Sequence, residues 1–130
     1  MQVFIDTSYF FARLVARDQW HHKAKKAVSR HLAAVTSSLV VNETISLLQA
    51  KGMFSAALTF LRGIRDSPDV RIIHVDPVLQ AEAWDLFGRW GASGANPVDC
   101  ASFAIMRSLG IKKAFTFDAH FRTAGFEILR

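Results

Sequence analysis

Residues 3–8 read Val3-Phe4-Ile5-Asp6-Thr7-Ser8, three apolar side chains followed at once by a carboxylate and two hydroxyls. An uninterrupted apolar run of this length predicts a short strand that is buried on both faces. From Thr7 to Val15 the apolar residues recur at helical spacing, which predicts a helix directly after the strand. Asp6 is therefore expected at a junction between strand and helix, where an uncompensated carboxylate raises the free energy of the fold.

The same alternation of short apolar runs and amphipathic segments continues along the chain. Further strands are predicted at residues 34–36, 70–75, 114–117 and 127–129. Further helices are predicted at residues 20–32, from a cap at Ser38 to Gly52, at 53–64, from a cap at Asp76 to Trp90, from Asn96 and Pro97 to Leu109, and briefly at Asp118. Apolar strands separated by helices predict an α/β fold, a three-layer α/β/α sandwich with a central parallel sheet. With 130 residues, 51% of them hydrophobic, we expect a single domain over residues 1–130.

The charge balance is basic. The chain has 16 Lys and Arg against 11 Asp and Glu, a formal net charge of +5. This excess favours a polyanionic partner such as RNA, with Lys23, Lys25 and Lys26 as weak candidates for contact, although small proteins are also basic without such a partner.

Cysteine usage and hydropathy bear on the cellular compartment. Cys100 is the only cysteine, which excludes an intrachain disulfide and fits a reducing compartment, most simply the cytoplasm. We expect its thiol to fill core space rather than to act as a nucleophile. The apolar residues up to Phe11 include Asp6 and lack a basic leader, so they predict a strand rather than a signal peptide. No uncharged stretch approaches the roughly 20 residues of a membrane span, and no membrane association is expected.

Four acidic residues lie in apolar surroundings: Asp6, Glu43, Asp99 and Asp118. Taken singly, each has an ordinary explanation as a helix cap or a solvated helix residue. Taken together they suggest a common cause, because the carboxyl ends of parallel strands face one crevice and the two helical acids can reach the same edge. We therefore predict that the four carboxylates converge and are catalytic.

Converging carboxylates need cations. Two carboxylates about 4 Å apart repel by about 4 kcal/mol at an effective dielectric constant near 20, so several together stay ionised only around a metal. Oxygen ligands favour Mg²⁺ or Mn²⁺ over zinc, and we predict Asp6, Asp99 and Asp118 as the ligands. In a basic protein such a site points to phosphodiester hydrolysis by metal-activated water. The hydroxyls of Thr7, Ser8 and Thr116 are suited to orient a carboxylate or a water, although capping and strand propensity also explain them.

These residues carry a family resemblance. The segment 3–8, the helix of Glu43, the segment Pro97 to Met106, and the segment Ala114 to Phe121 followed by Ala124-Gly125-Phe126 resemble the PIN domain over essentially the whole chain. Within that superfamily the length and the last two segments are most similar to the VapC-like ribonucleases, toxins of toxin-antitoxin pairs. Asp6, Glu43, Asp99 and Asp118 fall on the family's acids, and Thr116 on its hydroxyl or amide position. One departure is Asn96, where relatives often have Ser.

The resemblance implies a metal-dependent endoribonuclease with Mg²⁺ or Mn²⁺, a homodimer, and a small antitoxin protein as inhibitor. We expect the antitoxin in an apolar groove near Trp20, Phe54, Leu58 and Leu61, with an arginine directed to the acids. Two alternatives stay open at this point. One is a PIN-like module that binds RNA or protein with little cleavage. The other is a phospho-accepting receiver domain, which would need paired acids after its first strand. His120 is expected to serve mainly in packing.

Overall fold

Five short strands form one parallel sheet in a computed structural model that describes residues 2–26 and 33–130. The strands are β1 (Gln2–Ile5), β2 (Ala33–Ser37), β3 (Val70–Ile73), β4 (Lys113–Phe115) and β5 (Glu127–Leu129). Their spatial order is β3-β2-β1-β4-β5, and every pair is parallel. Val3 lies opposite Ala34 on one side of β1, and Ile5 lies opposite Phe115 on the other. The central strand is thus buried between two neighbours, as its apolar sequence predicts.

Helices connect the strands. They are α1 (Thr7–Leu14), α2 (His21–Lys26), α3 (Ser38–Ala50), α4 (Phe54–Asp66), α5 (Pro77–Trp90), α6 (Pro97–Leu109) and α7 (His120–Thr123). A single 3₁₀ turn at Gly91–Ser93 joins α5 to α6. Given the strand order, the right-handed rule for parallel connections places α1 to α4 on one face of the sheet and α5 and α6 on the other. Contacts of α1 with α3, of α3 with α4 and of α5 with α6 agree with this placement. The predicted α/β/α sandwich is confirmed.

The core is thickest around β1 and α6. Val3 and Phe4 are fully buried, and every residue from Asp99 to Met106 of α6 is buried. The Cys100 thiol lies in this core, where burial, reinforced by the charge of Asp99, raises its pKa. A helix that is buried around nearly its whole circumference is held in a fixed position, and it carries Asp99 with it.

The strand order creates a crevice. From β1 the chain builds outward through β2 to β3, and it then returns to add β4 and β5 on the other side of β1. The order reverses between β1 and β4, and ligands bind α/β sheets in the crevice at such a reversal, outside the carboxyl ends of the strands. Asp6 and Thr116 directly follow these two strands.

Several predicted boundaries differ from the structure. Ser37, not Ser38, caps α3, since its hydroxyl accepts from the Val40 N–H. The strand predicted to reach Phe117 ends at Phe115, because Thr116 turns its hydroxyl to the Asp6 carboxylate. Likewise β3 ends at Ile73, and α7 begins at His120 rather than at Asp118.

Other predictions fall partly outside the described residues. The helix predicted over 20–32 is observed as α2, and its continuation through residues 27–32 lies outside the description, as do the side chains of Lys25 and Lys26. Within residues 2–26 and 33–130, no helix combines the length and the apolar character that crossing a membrane requires.

Candidate metal-dependent active site

Asp6 is held at the end of β1 by hydroxyl groups. It caps α1, and its Oδ2 accepts from the Ser8 hydroxyl at 2.9 Å and from the Thr116 hydroxyl at 2.8 Å. The side chain is only 3% exposed. Burial raises the pKa of Asp6 to about 6, although the hydrogen bonds from Thr116 and Ser8 oppose the shift. The carboxylate is therefore oriented by its neighbours but not neutralised by them.

Asp99 is fixed by the first turn of α6. The Asp99 N–H donates to Asn96 Oδ1 at 2.8 Å, and the Asn96 N–H donates to Asp99 Oδ2 at 2.9 Å, which completes a capping box behind Pro97. Burial raises the pKa of Asp99 to about 7, and the charges of Asp6, Asp118 and Glu43 add to this rise while the Asn96 N–H lowers it. The charges of the other three acids therefore reach Asp99 at this point of the fold.

Asp118 is paired with a histidine. His120 Nδ1 lies 2.6 Å from Asp118 Oδ1, and His120 Nε2 lies 3.0 Å from the Ser93 carbonyl oxygen. Both ring nitrogens thus face oxygen atoms, an arrangement that suits the protonated imidazolium. Burial works against this charge, but the Asp118 carboxylate and the Ser93 carbonyl outweigh it and raise the pKa of His120 above its ordinary value. The sequence predicts a packing role for His120, and no local signal in it points to the contact with Ser93.

A hydroxyl network joins the two strand-end acids. The Asp118 N–H donates to Thr116 Oγ1 at 3.0 Å, and Thr116 in turn donates to Asp6. The Phe117 N–H donates to Ser8 Oγ at 2.9 Å, and Ser8 also donates to Asp6. Thr116 and Ser8 therefore link the Asp6 carboxylate to the backbone of Phe117 and Asp118. Thr7 behaves differently, because its buried Oγ1 has no hydrogen-bond partner among the described residues.

The acids surround one open cleft with a volume of about 350 Å³. Glu43 reaches it from α3 and is partly buried, and the other three acids approach from the carboxyl edge of the sheet. Its lining also contains Asp18, Trp20 and Phe117. The structure thus brings together all four acids that the sequence singled out, while their catalytic roles remain a prediction.

The carboxylate oxygens of this cleft suit a hard divalent cation, whereas the imidazole of His120 faces Asp118 as a charged partner. Ligand atoms of Asp99, Asp118 and His120 lie within 4.8 Å of one another. Thr7, whose buried hydroxyl has no hydrogen-bond partner among the described residues, also lines the cleft. Burial, together with the charges of the other three acids, raises the pKa of Asp99, and a bound cation would stabilise its ionised form. This set shares Asp99 and Asp118 with the predicted ligands Asp6, Asp99 and Asp118, and it does not include Asp6.

The parallel sheet thus carries a carboxylate-lined cleft at its point of reversal. The family model of the PIN domain matches residues 3–127, and the chain belongs to this family. The resemblance seen in the sequence is thereby confirmed, and the receiver-domain alternative is wrong.

Individual relatives are close in sequence and structure. The chain is 37% identical over 129 residues to the 23S rRNA-specific endonuclease VapC20 of Mycobacterium tuberculosis, with 98% of each protein covered. The crystal structure of VapC20, described as a Sarcin-Ricin loop cleaving toxin, superposes with a TM-score of 0.88 at 38% identity over 95% of each chain. FitAcB from Neisseria gonorrhoeae gives a TM-score of 0.68 at 14% identity, covering 100% of this chain and 97% of that one, and shows the shared fold alone.

Proposed function

We propose that this protein is a divalent-metal-dependent endoribonuclease and the toxin of a toxin-antitoxin pair. The observation that carries the proposal is the convergence of Asp6, Glu43, Asp99 and Asp118 on one cleft. Burial raises the pKa of Asp99 to about 7, and the charges of the other three acids add to this rise. Membership of the PIN-domain family and the 37% identity to an RNA endonuclease support it.

Each residue has a distinct role in this proposal. Asp99 and Asp118 hold Mg²⁺ or Mn²⁺ with Asp6 close beside them, and Glu43 supplies the fourth carboxylate from the opposite wall of the cleft. When bound, the cation supplies Lewis-acid activation of water and neutralises charge on the scissile phosphate. Ser8 and Thr116 hold Asp6 in place by donating to its Oδ2, and His120 restrains Asp118. Hydrolysis therefore depends on hydroxyl and imidazole groups that do not themselves act on the phosphate.

We extend the proposal to the substrate class. VapC20 is named for cleavage of 23S rRNA at the sarcin-ricin loop, and the likeness covers nearly the full length of both proteins. We accordingly assign this protein to structured ribosomal RNA, with a single loop as the cleavage site. The intact set of four acids argues against the alternative of a module that binds without cleaving, because a loss of catalysis usually shows first in lost ligands.

The partner proposal keeps the apolar groove but changes its lining. Phe54, Leu58 and Leu61 line a groove of about 190 Å³ with Ile45, Gln49 and Ala57, and Phe54 is 58% exposed. Trp20, which we had placed in this groove, instead lines the acidic cleft. A small antitoxin whose apolar segment fills the groove and whose arginine enters the cleft would inhibit by satisfying the acids. Homodimer formation remains part of the proposal.

The deciding experiment is cleavage of ribosomes and of an unrelated RNA by purified protein with Mg²⁺, with Mn²⁺ and with EDTA, followed by mapping of the product ends. We expect one cut in 23S rRNA that EDTA abolishes. Asp99→Asn should eliminate the cut, whereas Asp85→Asn, which removes an exposed acid of α5 away from the cleft, should retain it. Cleavage that is unaffected by EDTA or by Asp99→Asn would contradict the proposal.

A further inference from the structure

A stack of aromatic rings runs from the core to the edge of the acidic cleft. The Phe115 and Tyr9 rings lie 5.1 Å apart, Tyr9 and Phe117 lie 6.4 Å apart, and Trp20 lies flat on Phe117 at 5.2 Å with an angle of 3° between the planes. Phe117 is also tied to the acids, since its N–H donates to Ser8 Oγ. Trp20 is therefore held in a fixed orientation where the cleft meets solvent.

Two cations lie against the outermost ring of this stack. Lys23 Nζ is 5.3 Å from the Trp20 ring centroid, and Arg130 Cζ is 5.7 Å from it. Both side chains are exposed, and neither forms an ion pair with an acid within the part of the chain that the structure describes. Lys113 shows the contrast, because Glu127 lies 3.8 Å from its ammonium group. An aromatic face restrains a cation without neutralising it, so the donors of Lys23 and Arg130 stay available.

We propose that Trp20, Lys23 and Arg130 form a cationic rim that binds backbone phosphates of RNA beside the scissile bond. The inference rests on the proposed ribonuclease function and adds the residues that hold the substrate at that site. Trp20 is the positioning residue, and Lys23 and Arg130 make the phosphate contacts.

The electrostatics of the cleft require such a feature. Five acids line the cleft, namely Asp6, Asp18, Glu43, Asp99 and Asp118. They favour a metal ion but repel the phosphates on either side of the one being cleaved. Trp20 itself lines the cleft, so the two cations beside its ring are suitably placed to neutralise a neighbouring phosphate. Part of the positive charge behind the +5 net charge would then attract RNA at a defined place, beside Trp20, in addition to the diffuse attraction of the whole chain.

The test measures RNA affinity as a function of salt. The probe is a short fluorescein-labelled oligouridylate, and every protein carries Asp99→Asn so that the probe is not cut. Each phosphate contact on a single strand contributes about 0.7 to the slope of log Kd against log salt. We expect Lys23→Ala with Arg130→Ala to lower this slope by about 1.4. Arg89→Ala is the matched control, because Arg89 lies 4.9 Å from the Trp90 ring on α5 but away from the cleft.

Trp20 is tested by rescue. Trp20→Ala should lower the slope because the cations lose their restraint, and Trp20→Phe should restore most of it because a phenyl face still attracts a cation. In the enzyme with Asp99 intact, the Lys23 and Arg130 double variant should raise KM with little change in kcat.

The results of these experiments distinguish the proposal of a cationic rim from the proposal of nuclease function. If the slope is unchanged in the double variant, or is lowered equally by Arg89→Ala, the proposal of a cationic rim is wrong. Lys23 and Arg130 would then be assigned to contact with a protein partner. Salt-dependent binding without any cleavage by the unsubstituted protein overturns the nuclease function but not the rim.

Discussion

A single glycine leaves room for the histidine of the site. Gly94 has φ +105°, and a Cβ built there would lie 2.8 Å from His120 Nε2. The neighbouring Ser93 carbonyl accepts a hydrogen bond from that same nitrogen, and the other ring nitrogen of His120 contacts Asp118. The loop between α5 and α6 thus fixes the orientation of an acid in a different part of the chain, and only a residue without a side chain permits this contact.

We predict that Gly94→Ala lowers cleavage by far more than Gly52→Ala. Both glycines have positive φ, so each substitution should cost about 1–2 kcal/mol of stability through backbone strain. Only at Gly94 does the new methyl group meet another residue, because nothing lies within 4 Å of a Cβ at Gly52. Urea unfolding and initial cleavage rates measure the two effects. Equal losses of activity in the two variants would show that His120 does not position Asp118.

The first turn of α6 links helix stability to the geometry of the site. Asn96 and Asp99 cap each other, so the group that holds the helix end also orients an acid of the cleft. At the start of α5, Asp76 makes a similar cap to the Leu79 N–H at 2.8 Å but borders no part of the cleft. A comparison of the two caps therefore distinguishes the contribution of a cap to stability from its contribution to the geometry of the site.

We predict that Asn96→Ala and Asp76→Ala each destabilise the protein by about 1 kcal/mol. Only Asn96→Ala should also slow cleavage, by several-fold, because Asp99 loses the bond that fixes its backbone. Asn96→Ser keeps a capping oxygen and should behave like the unsubstituted protein. Thermal unfolding combined with cleavage assays decides between the roles. Full activity of Asn96→Ala would mean that the buried packing of α6 alone positions Asp99.

Elements were predictable where local signals agreed. Asp76 with Pro77 fixed the start of α5, and Gly110, which has φ +68°, fixed the end of α6. The end of β4 was misplaced because Phe115, Thr116 and Phe117 all favour a strand, whereas the contact of Thr116 with Asp6 ends it.

The site was predictable to the extent that it follows from topology. The four acids stand out because each interrupts an apolar segment, and a parallel sheet brings such positions to one edge. The contact of His120 with Ser93 and the stacking of Trp20 on Phe117 join residues that are distant in sequence. Neither pair has a local signature, so both were found only in the folded chain.

At the scale of the whole molecule, charge is unevenly distributed. The chain is basic overall, yet its four site acids share one cleft whose most buried members are Asp6 and Asp99. Without a cation this arrangement lowers stability, because desolvation and mutual repulsion both favour the protonated acids. The stability of the whole protein should therefore report on the charge state of its site.

We predict that the free energy of unfolding of the metal-free protein depends on pH through Asp99. Below its ordinary pKa of 3.8 the carboxyl is protonated in both the folded and the unfolded chain, so its ionisation does not change the free energy of unfolding. Between pH 3.8 and about 7 only the unfolded chain releases the proton, so stability falls as pH rises and then levels off. Asp6 adds a fall of the same sign that ends near pH 6.

Urea unfolding from pH 4 to pH 8 without metal tests this, with Asp99→Asn as the variant and Asp85→Asn as the exposed control. The stability gained by Asp99→Asn should grow with pH to about 2–4 kcal/mol, since one pKa unit corresponds to about 1.4 kcal/mol. The gain should shrink when Mg²⁺ or Mn²⁺ is added, because a cation binds the ionised acid of the folded chain and stabilises that state. Asp85→Asn should show no such trend. A gain that does not change across this range would mean that Asp99 titrates normally, and the convergence of the four carboxylates would then not create a cation site.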